Sequence, residues 1–163
     1  MGILPRVSLE TRQELYVRKI RDGTVIDHIT SGYSLDVLKI LSIDGKDGEV
    51  VSAAMNVESK THGHKDIVKI QNRELNPKEV DKIALIAPNA TINIIRNYSV
   101  ASKKVVQLLP VIKGIIRCDN PSCVSNSREP IDPQFRVDRK EPVRLHCYFC
   151  GHVMEREDIL KQF

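Results

Sequence analysis

Four cysteines near the C-terminus constrain the fold of this chain more than any other feature. Cys118 and Cys123 are separated by four residues, Cys147 and Cys150 by two, and 23 residues lie between the pairs. Two close pairs joined by such a loop are typical of a closed four-thiolate zinc site. Gly151 follows the second pair, and its access to positive φ lets backbone amides face the sulfurs. The sequence therefore predicts one structural Zn²⁺ held by these four side chains.

Alternatives to a four-cysteine site exist in the same segment. Two disulfides would suit a secreted domain, but the first residues lack the apolar core of a signal peptide, and no apolar run could span a bilayer. We therefore expect a cytoplasmic chain with reduced thiols and no membrane contact. His146 and His152 flank the second pair and are alternative ligands. Because four thiolates already stand at suitable spacing, we expect both histidines to lie at the surface or to support the ligands.

The last part of the chain, residues 111–163, is predicted to be a small all-β, zinc-ribbon-like domain. Pro110 and Gly114 mark its boundary, and strand-like patterns cover residues 135–139, 143–148 and 152–156. About fifty residues are too few for an ample core, so metal binding is expected to supply much of the folding free energy.

The preceding part, residues 15–110, carries the pattern of an α+β domain, and residues 1–14 form an arm without a clear period. Strands are predicted at 15–20, 24–29, 49–58, 66–71, 91–98 and 100–109, and the apolar run at 49–58 indicates an interior strand. One helix starts at a Ser34 cap and carries Leu35 on its apolar stripe. The other starts at Asn76-Pro77, where Glu79 completes a capping box. This order predicts a ferredoxin-like, double split βαβ fold with both helices on one sheet face.

Polar side chains are concentrated on the predicted strands of this domain. One interpretation is a solvated sheet face; the other is an open face on which lysines and a carboxylate bind a nucleoside triphosphate. Catalysis is not predicted, because the chain lacks a nucleophile elbow, a P-loop and a G-x-G-x-x-G motif. Adjacent strand residues such as Asp27 and His28 should also face opposite sides unless a bulge intervenes.

Three blocks and the cysteine quartet carry a family resemblance. The blocks are GTVIDHI at residues 23–29, HKDIVKIQN at 64–72 and ALIAPNATINIIRNYSV at 84–100. In this order the chain resembles the regulatory chain of aspartate carbamoyltransferase over residues 15–163. The resemblance implies a non-catalytic subunit of pyrimidine biosynthesis, with an allosteric domain for CTP, ATP and UTP and a zinc domain that contacts the catalytic chain. It also implies a dimer of regulatory chains.

The same resemblance implies roles for individual residues. Asp27 and Lys69 would contact ribose and base, and His28 and Lys103 the phosphates. The remaining nucleotide-binding positions are a base pocket of Val17, Ile20, Ile95, Tyr98 and Val100, and two effector or second-nucleotide contacts, Lys65 and Asn93. The chain departs from the better-known bacterial members at Arg18 and Lys19, where they carry an acidic and a small residue. Extra cations there are expected to alter base preference or phosphate affinity.

A zinc-ribbon nucleic-acid-binding protein is the rival interpretation. It is supported by four cations at Arg136, Arg139, Lys140 and Arg144 and by a net charge of +4. Against it, the charges are mixed along the chain and only 4% of residues are aromatic, which leaves few rings for base stacking. We therefore expect no nucleic-acid partner. A third hypothesis, an enzyme in its own right, would need turnover by the isolated chain.

Overall fold

The computed structural model describes residues 17–61 and 63–163, which form two antiparallel sheets. The predicted arm, residues 1–14, lies outside the described residues, as do the first two residues of the predicted strand at 15–20. The rest of that strand prediction is wrong, because residues 17–22 are irregular. The Lys69 ammonium donates to the carbonyls of Val17 and Arg18, at 3.1 and 2.9 Å, and thereby engages groups that a strand ladder would use.

The first sheet confirms the ferredoxin-like fold. Its strands are β1 (Gly23–Thr30), β2 (Val51–Ser59), β3 (Gly63–Gln71), β4 (Thr91–Arg96) and β5 (Ser99–Val105), in the order β2-β3-β1-β4-β5 with antiparallel neighbours. Helix α1 (Ser34–Ile40) joins β1 to β2, and α2 (Pro77–Ala84) joins β3 to β4. Two interleaved βαβ units with one added edge strand, β5, are the result.

Alternation along the strands separates a packed face from an open one. Ile26, Val68 and Ile70 are fully buried and belong to one cluster with the apolar residues of both helices. Their neighbours in sequence, including Val25 and Lys69, are only partly buried. Because strand side chains alternate in direction, these neighbours lie on the other face, which no helix covers among the residues that the structure describes.

The two helices begin in different ways. At α2 the predicted capping box is confirmed: the Glu79 amide donates to Asn76 Oδ1 at 3.0 Å, and the Asn76 amide donates to Glu79 Oε2 at 2.9 Å. At α1 the predicted Ser34 cap is wrong, because Ser34 lies inside the helix and the N-cap residue, Tyr33, makes no side-chain capping bond. Leu35 is exposed rather than packed, so the apolar stripe of α1 is narrower than predicted.

Strand β2 lies at an edge of the sheet, which contradicts the interior position predicted for residues 49–58. Val50 and Met55 are exposed within the apolar run. Such a run suits burial between two strands, but it also suits an edge that is covered by another chain. The sequence of one chain cannot distinguish these two cases.

The second sheet contains the three predicted C-terminal strands and one more. Its strands are β6 (Val111–Lys113), β7 (Gln134–Lys140), β8 (Val143–Cys147) and β9 (Val153–Glu155), in that order, followed by α3 (Arg156–Leu160). Strand β6 and helix α3 were not predicted. Phe135, Leu145, Met154 and Ile159 are fully buried, and they join the first sheet's core in one continuous cluster. Across residues 17–61 and 63–163, no helix combines the length and the apolar character needed to cross a membrane.

Candidate functional site

The four cysteines converge, as their spacing predicts. Their sulfur atoms all lie within 4.8 Å of one another. The Cys118 and Cys150 sulfurs are 3.6 Å apart, and those of Cys123 and Cys147 are 3.7 Å apart. Four thiolates at about 2.3 Å from a tetrahedral Zn²⁺ would stand slightly under 4 Å apart, so the donor set and its spacing fit this ion. The group of converging ligand atoms among the described residues contains the four cysteines and not His146, whose Nδ1 lies 2.9 Å from Oδ2 of Asp138.

Backbone turns hold the thiols in place. Asn126 donates to the carbonyls of Cys118 and Asn120, both at 2.8 Å, and thus closes the first cysteine turn. In the second turn Gly151 has φ +74° and its amide donates to the Cys147 carbonyl at 3.0 Å. This confirms the predicted left-handed glycine, which allows the chain to fold back over the sulfurs.

The protonation of the thiols differs with their surroundings. Burial raises the pKa of Cys118 and Cys147. Burial acts in the same direction at Cys150, but hydrogen bonds from the His152 amide and the Asn120 side chain outweigh it and lower the pKa of this thiol to about 6. A bound Zn²⁺ would stabilise all four thiolates and cross-link two distant turns. With four protein ligands, the site would keep no open position for a water.

A second candidate site is a row of residues on the open face of the first sheet. Strand pairing aligns Lys69 of β3 with Val25 of β1, Val25 with Asn93 of β4, and Asn93 with Lys103 of β5. Directly paired residues point to the same side of a sheet. Three of the predicted nucleotide-binding residues therefore share one row on the face that the helices leave open.

A bulge brings Asp27 and His28 together on β1, on one side of this row. The β1–β3 register shifts between Ile26 and Ile29, and His28 has φ +57°. His28 Nδ1 consequently lies 3.7 Å from Oδ2 of Asp27, and Oδ1 of Asp27 lies 2.8 Å from the Lys65 ammonium. The bulge that the sequence analysis named as the exception is therefore present, and it breaks the alternation that would place Asp27 and His28 on opposite sides.

The predicted base-pocket residues lie on the opposite side of the row. Strand pairing aligns Gly23 with Ile95 and Ile95 with Val100. The Tyr98 amide donates to the Arg21 carbonyl at 2.8 Å, so the β4–β5 turn lies beside residues 17–22. The pocket residues differ in burial: Ile20 and Ile95 are buried, Val17 is partly buried, and Tyr98 and Val100 are exposed.

No sequence pattern pointed to one residue that lies near the open face of the first sheet. Glu141, in the turn between β7 and β8, contacts the side chain of Thr30 at the end of β1 and accepts a hydrogen bond from Asn89 Nδ2 at 2.6 Å. Glu141 and Thr30 are 111 positions apart, so no local pattern could connect them.

Two of the four basic residues that support the nucleic-acid hypothesis are engaged within the second sheet. Arg136 Nε lies 2.8 Å from Oδ1 of Asp138, and Arg139 Nε donates to the Pro142 carbonyl at 2.9 Å. Cations that pair with their own sheet present a weaker field to a phosphate backbone.

Comparisons with known proteins cover both sheets. Residues 15–107 match the family described as the allosteric domain of the aspartate carbamoyltransferase regulatory chain, and residues 110–160 match the metal-binding domain of the same chain. The second match, together with the thiol cluster, supports the predicted zinc ion.

The chain is similar in sequence to individual relatives over most of its length. The chain is 51% identical to the aspartate carbamoyltransferase regulatory chain of Hyperthermus butylicus, over 94% of this chain and 97% of that one. It is 55% identical to the regulatory chain of Korarchaeum cryptofilum, over 93% and 97%. It is 58% identical to that of Methanothrix thermoacetophila, over 85% and 90%. The predicted role, a regulatory rather than a catalytic subunit, is confirmed, and the chain belongs to the family of aspartate carbamoyltransferase regulatory chains.

Proposed function

We propose that this chain binds the nucleotide effectors CTP, ATP and UTP on the open face of its first sheet and thereby controls the aspartate carbamoyltransferase catalytic chain in pyrimidine biosynthesis. The observation that carries the proposal is the row of Lys69, Asn93 and Lys103, with the Asp27–Lys65 ion pair on one side of it, further along β1 and β3. Such a row on an uncovered face, in a chain of a regulatory family, is best explained by a ligand.

The chemistry of the row suits a nucleoside triphosphate. Lysine ammonium groups neutralise phosphate oxygens as mobile point charges, and a carboxylate such as Asp27 can accept from ribose hydroxyls. On the side of the row that lies away from Asp27, Ile20 and Ile95 are buried apolar neighbours for a base. The irregular backbone of residues 17–22 supplies amides and carbonyls that can pair with base edges.

We assign nucleotide binding to residues 15–110 and catalytic-chain contact to residues 111–163. On the second part, Tyr148 and Phe149 stand between two zinc ligands and are 57% and 40% exposed. Exposed aromatic side chains on a rigid turn are typical anchors of protein interfaces. The reduced thiols of the zinc site favour a cytoplasmic assembly.

We also propose that two copies of this chain pair through β2. This strand is an edge of the first sheet, and its exposed Met55 lies in a run of small and apolar residues. An edge strand with no proline and a single charged residue, Glu58 near its C-terminal end, can add a second strand by backbone hydrogen bonding. A second copy would continue the sheet and cover the apolar run.

Regulation then follows from linkage between two sites. An effector that binds one quaternary state more tightly shifts the assembly toward that state and changes catalytic activity by the same coupling free energy. Such couplings are typically about 1–3 kcal/mol, so we expect effects of about fivefold to a hundredfold.

The test is calorimetry with CTP, ATP and UTP on wild-type chain and on two adjacent lysine variants. Lys103 shares the row with Asn93, whereas Lys104 pairs with buried Ile92 and points to the other face. Lys103→Gln should weaken binding about tenfold, which is the value of one charge-assisted contact, and Lys104→Gln should leave it unchanged. Absence of nucleotide binding by the wild type, or equal losses in the two variants, would refute the proposal.

A further inference from the structure

A short connection leads from the proposed effector face to the second sheet. We name residues 30–36, between the body of β1 and the first turn of α1, the β1–α1 junction. It begins two positions after His28, the bulged residue on the predicted phosphate side of the row. A displacement of the bulge therefore reaches the junction through two residues of strand.

The first end of the junction is held by Glu141 of the second sheet. One carboxylate oxygen contacts the Thr30 hydroxyl, and the other accepts from Asn89 at 2.6 Å. The same carboxylate lines a cleft of about 450 Å³ together with His28 and Lys65. Glu141 thus adjoins two residues of the proposed effector face while its backbone belongs to the zinc-bearing part of the chain.

The other end of the junction is held by Arg156 of α3. Its guanidinium forms an ion pair with Asp36 and lies over the Tyr33 ring, 4.1 Å from the centroid. The Arg156 and Asp36 side chains are only 25% and 19% exposed, so water screens the pair weakly. Removing one partner would leave a poorly solvated charge.

The junction itself is rigid between these two contacts. Asp66 is fully buried, and its Oδ2 accepts the backbone amides of Gly32 and Ser34 at 2.9 and 3.1 Å. A segment fixed at its centre moves as a unit rather than deforming residue by residue. Packed elements of this kind respond in discrete steps to small shifts.

We infer that the β1–α1 junction carries effector binding to the zinc-bearing domain, with Glu141 and Arg156 as the positioning residues that receive it. The inference rests on the proposed effector function. It concerns the route of the signal, and it assigns no effector contact to Arg156 and no catalytic role to either residue.

The test uses the complete enzyme, assembled from catalytic and regulatory chains. For each variant, calorimetry gives the affinity for CTP and ATP, and catalytic rates with and without saturating nucleotide give the response. Arg156→Gln should retain nucleotide affinity, and both Glu141→Ala and Arg156→Gln should retain unstimulated activity. Their response factor should fall about twofold or more, the range found for residues along coupling networks.

A matched control removes a different contact between the two halves. The Lys82 ammonium of α2 lies 5.1 Å from the centroid of the Phe163 ring, away from the junction. Lys82→Gln should keep the full response. Zinc content and the unfolding midpoint are measured in parallel, and Glu141→Gln replaces Glu141→Ala if the latter does not assemble.

The outcomes separate the two proposals. A wild-type enzyme that binds neither nucleotide refutes the effector function itself. A full response in Glu141→Ala and Arg156→Gln overturns the junction route alone. Loss of nucleotide affinity in Arg156→Gln would make the junction part of the binding site. An equal loss of response in Lys82→Gln would show that any weakening of the contact between the two sheets lowers the response. Each of these results also overturns the inference.

Discussion

The carboxylate of Asp66 in β3 accepts the backbone amide of Ser34 at 3.1 Å, so the first turn of α1 is capped by a residue 32 positions away. The same side chain accepts the Gly32 amide at 2.9 Å and the Asn56 amide at 2.8 Å. One buried carboxylate therefore orders the β1–α1 junction and the bulge of β2, and three backbone donors depend on it.

Replacing Asp66 should destabilise the fold strongly. Asp66→Ala leaves three amides without this acceptor, and each unsatisfied buried donor costs about 1–3 kcal/mol. We expect the free energy of unfolding to fall by about 3 kcal/mol or more, measured by denaturant titration with zinc present. Asp44→Ala is the matched control, because Asp44 accepts one amide, that of Lys46, from an exposed position. Equal losses in both variants would contradict the assigned role.

Removing zinc should unfold the second sheet before the first. Structural zinc contributes about 10–16 kcal/mol of apparent binding free energy in small peptides, and the core of residues 111–163 is small. We expect about one zinc per chain, loss of that zinc in Cys123→Ser, and retention in Ser122→Ala. Metal analysis and circular dichroism under a zinc chelator provide the measurement. A chelated chain that keeps the β7–β8 pairing by hydrogen exchange would disprove a structural metal.

Local chemistry made much of the fold predictable. The Asn76 capping box, the turn at Gly151 and the spacing of the cysteines each depend on residues within a few positions, and all three are present as expected. The alternating burial along β3 likewise places Lys65 and Lys69 on one face, as the two-residue period of a strand requires. Short-range patterns report backbone geometry directly, because sterics and hydrogen bonding act between nearby residues.

Long-range contacts account for what the sequence did not reveal. The cap of α1 comes from Asp66, and Glu141 and Arg156 contact elements more than a hundred residues away. The edge position of β2 depends on which strands pair, and its apolar run has the same pattern in an interior strand. Contacts between residues that are distant in sequence produce no periodic pattern of residue types. The β1–α1 junction could therefore be found only in the structure.

Acid should weaken the last helix. The Asp158 carboxylate accepts the Glu155 amide at 3.1 Å, and this bond, together with Lys161, holds the pKa of Asp158 below its ordinary value. A lowered folded-state pKa means that the contribution to stability is present above the unfolded-state pKa of about 4 and is lost as pH falls through the folded-state value. Asp158→Asn should remove this part of the pH dependence, followed as unfolding midpoints between pH 6 and pH 3. An unchanged slope would contradict the capping role.

Truncating Tyr148 should weaken attachment to the catalytic chain. Anchor residues of interfaces typically cost about 2 kcal/mol or more when they are reduced to alanine, so Tyr148→Ala should raise the dissociation constant at least tenfold. Leu35→Ala is the control, because Leu35 is similarly exposed but lies on α1. Surface plasmon resonance with immobilised catalytic chain gives both constants. Equal dissociation constants for Tyr148→Ala and wild type would show that the second cysteine turn is not part of the interface with the catalytic chain.

A charge on β2 should separate the proposed regulatory dimer. Met55 is 47% exposed on an edge strand, and a charged residue on such an edge opposes strand addition. Met55→Glu should shift sedimentation of the regulatory chain from dimer to monomer while the zinc content stays the same. Ser102→Glu places the same charge on β5, the opposite edge among the described strands, and should leave the dimer intact. The reverse pattern, in which only Ser102→Glu dissociates the dimer, would assign the interface to β5 instead.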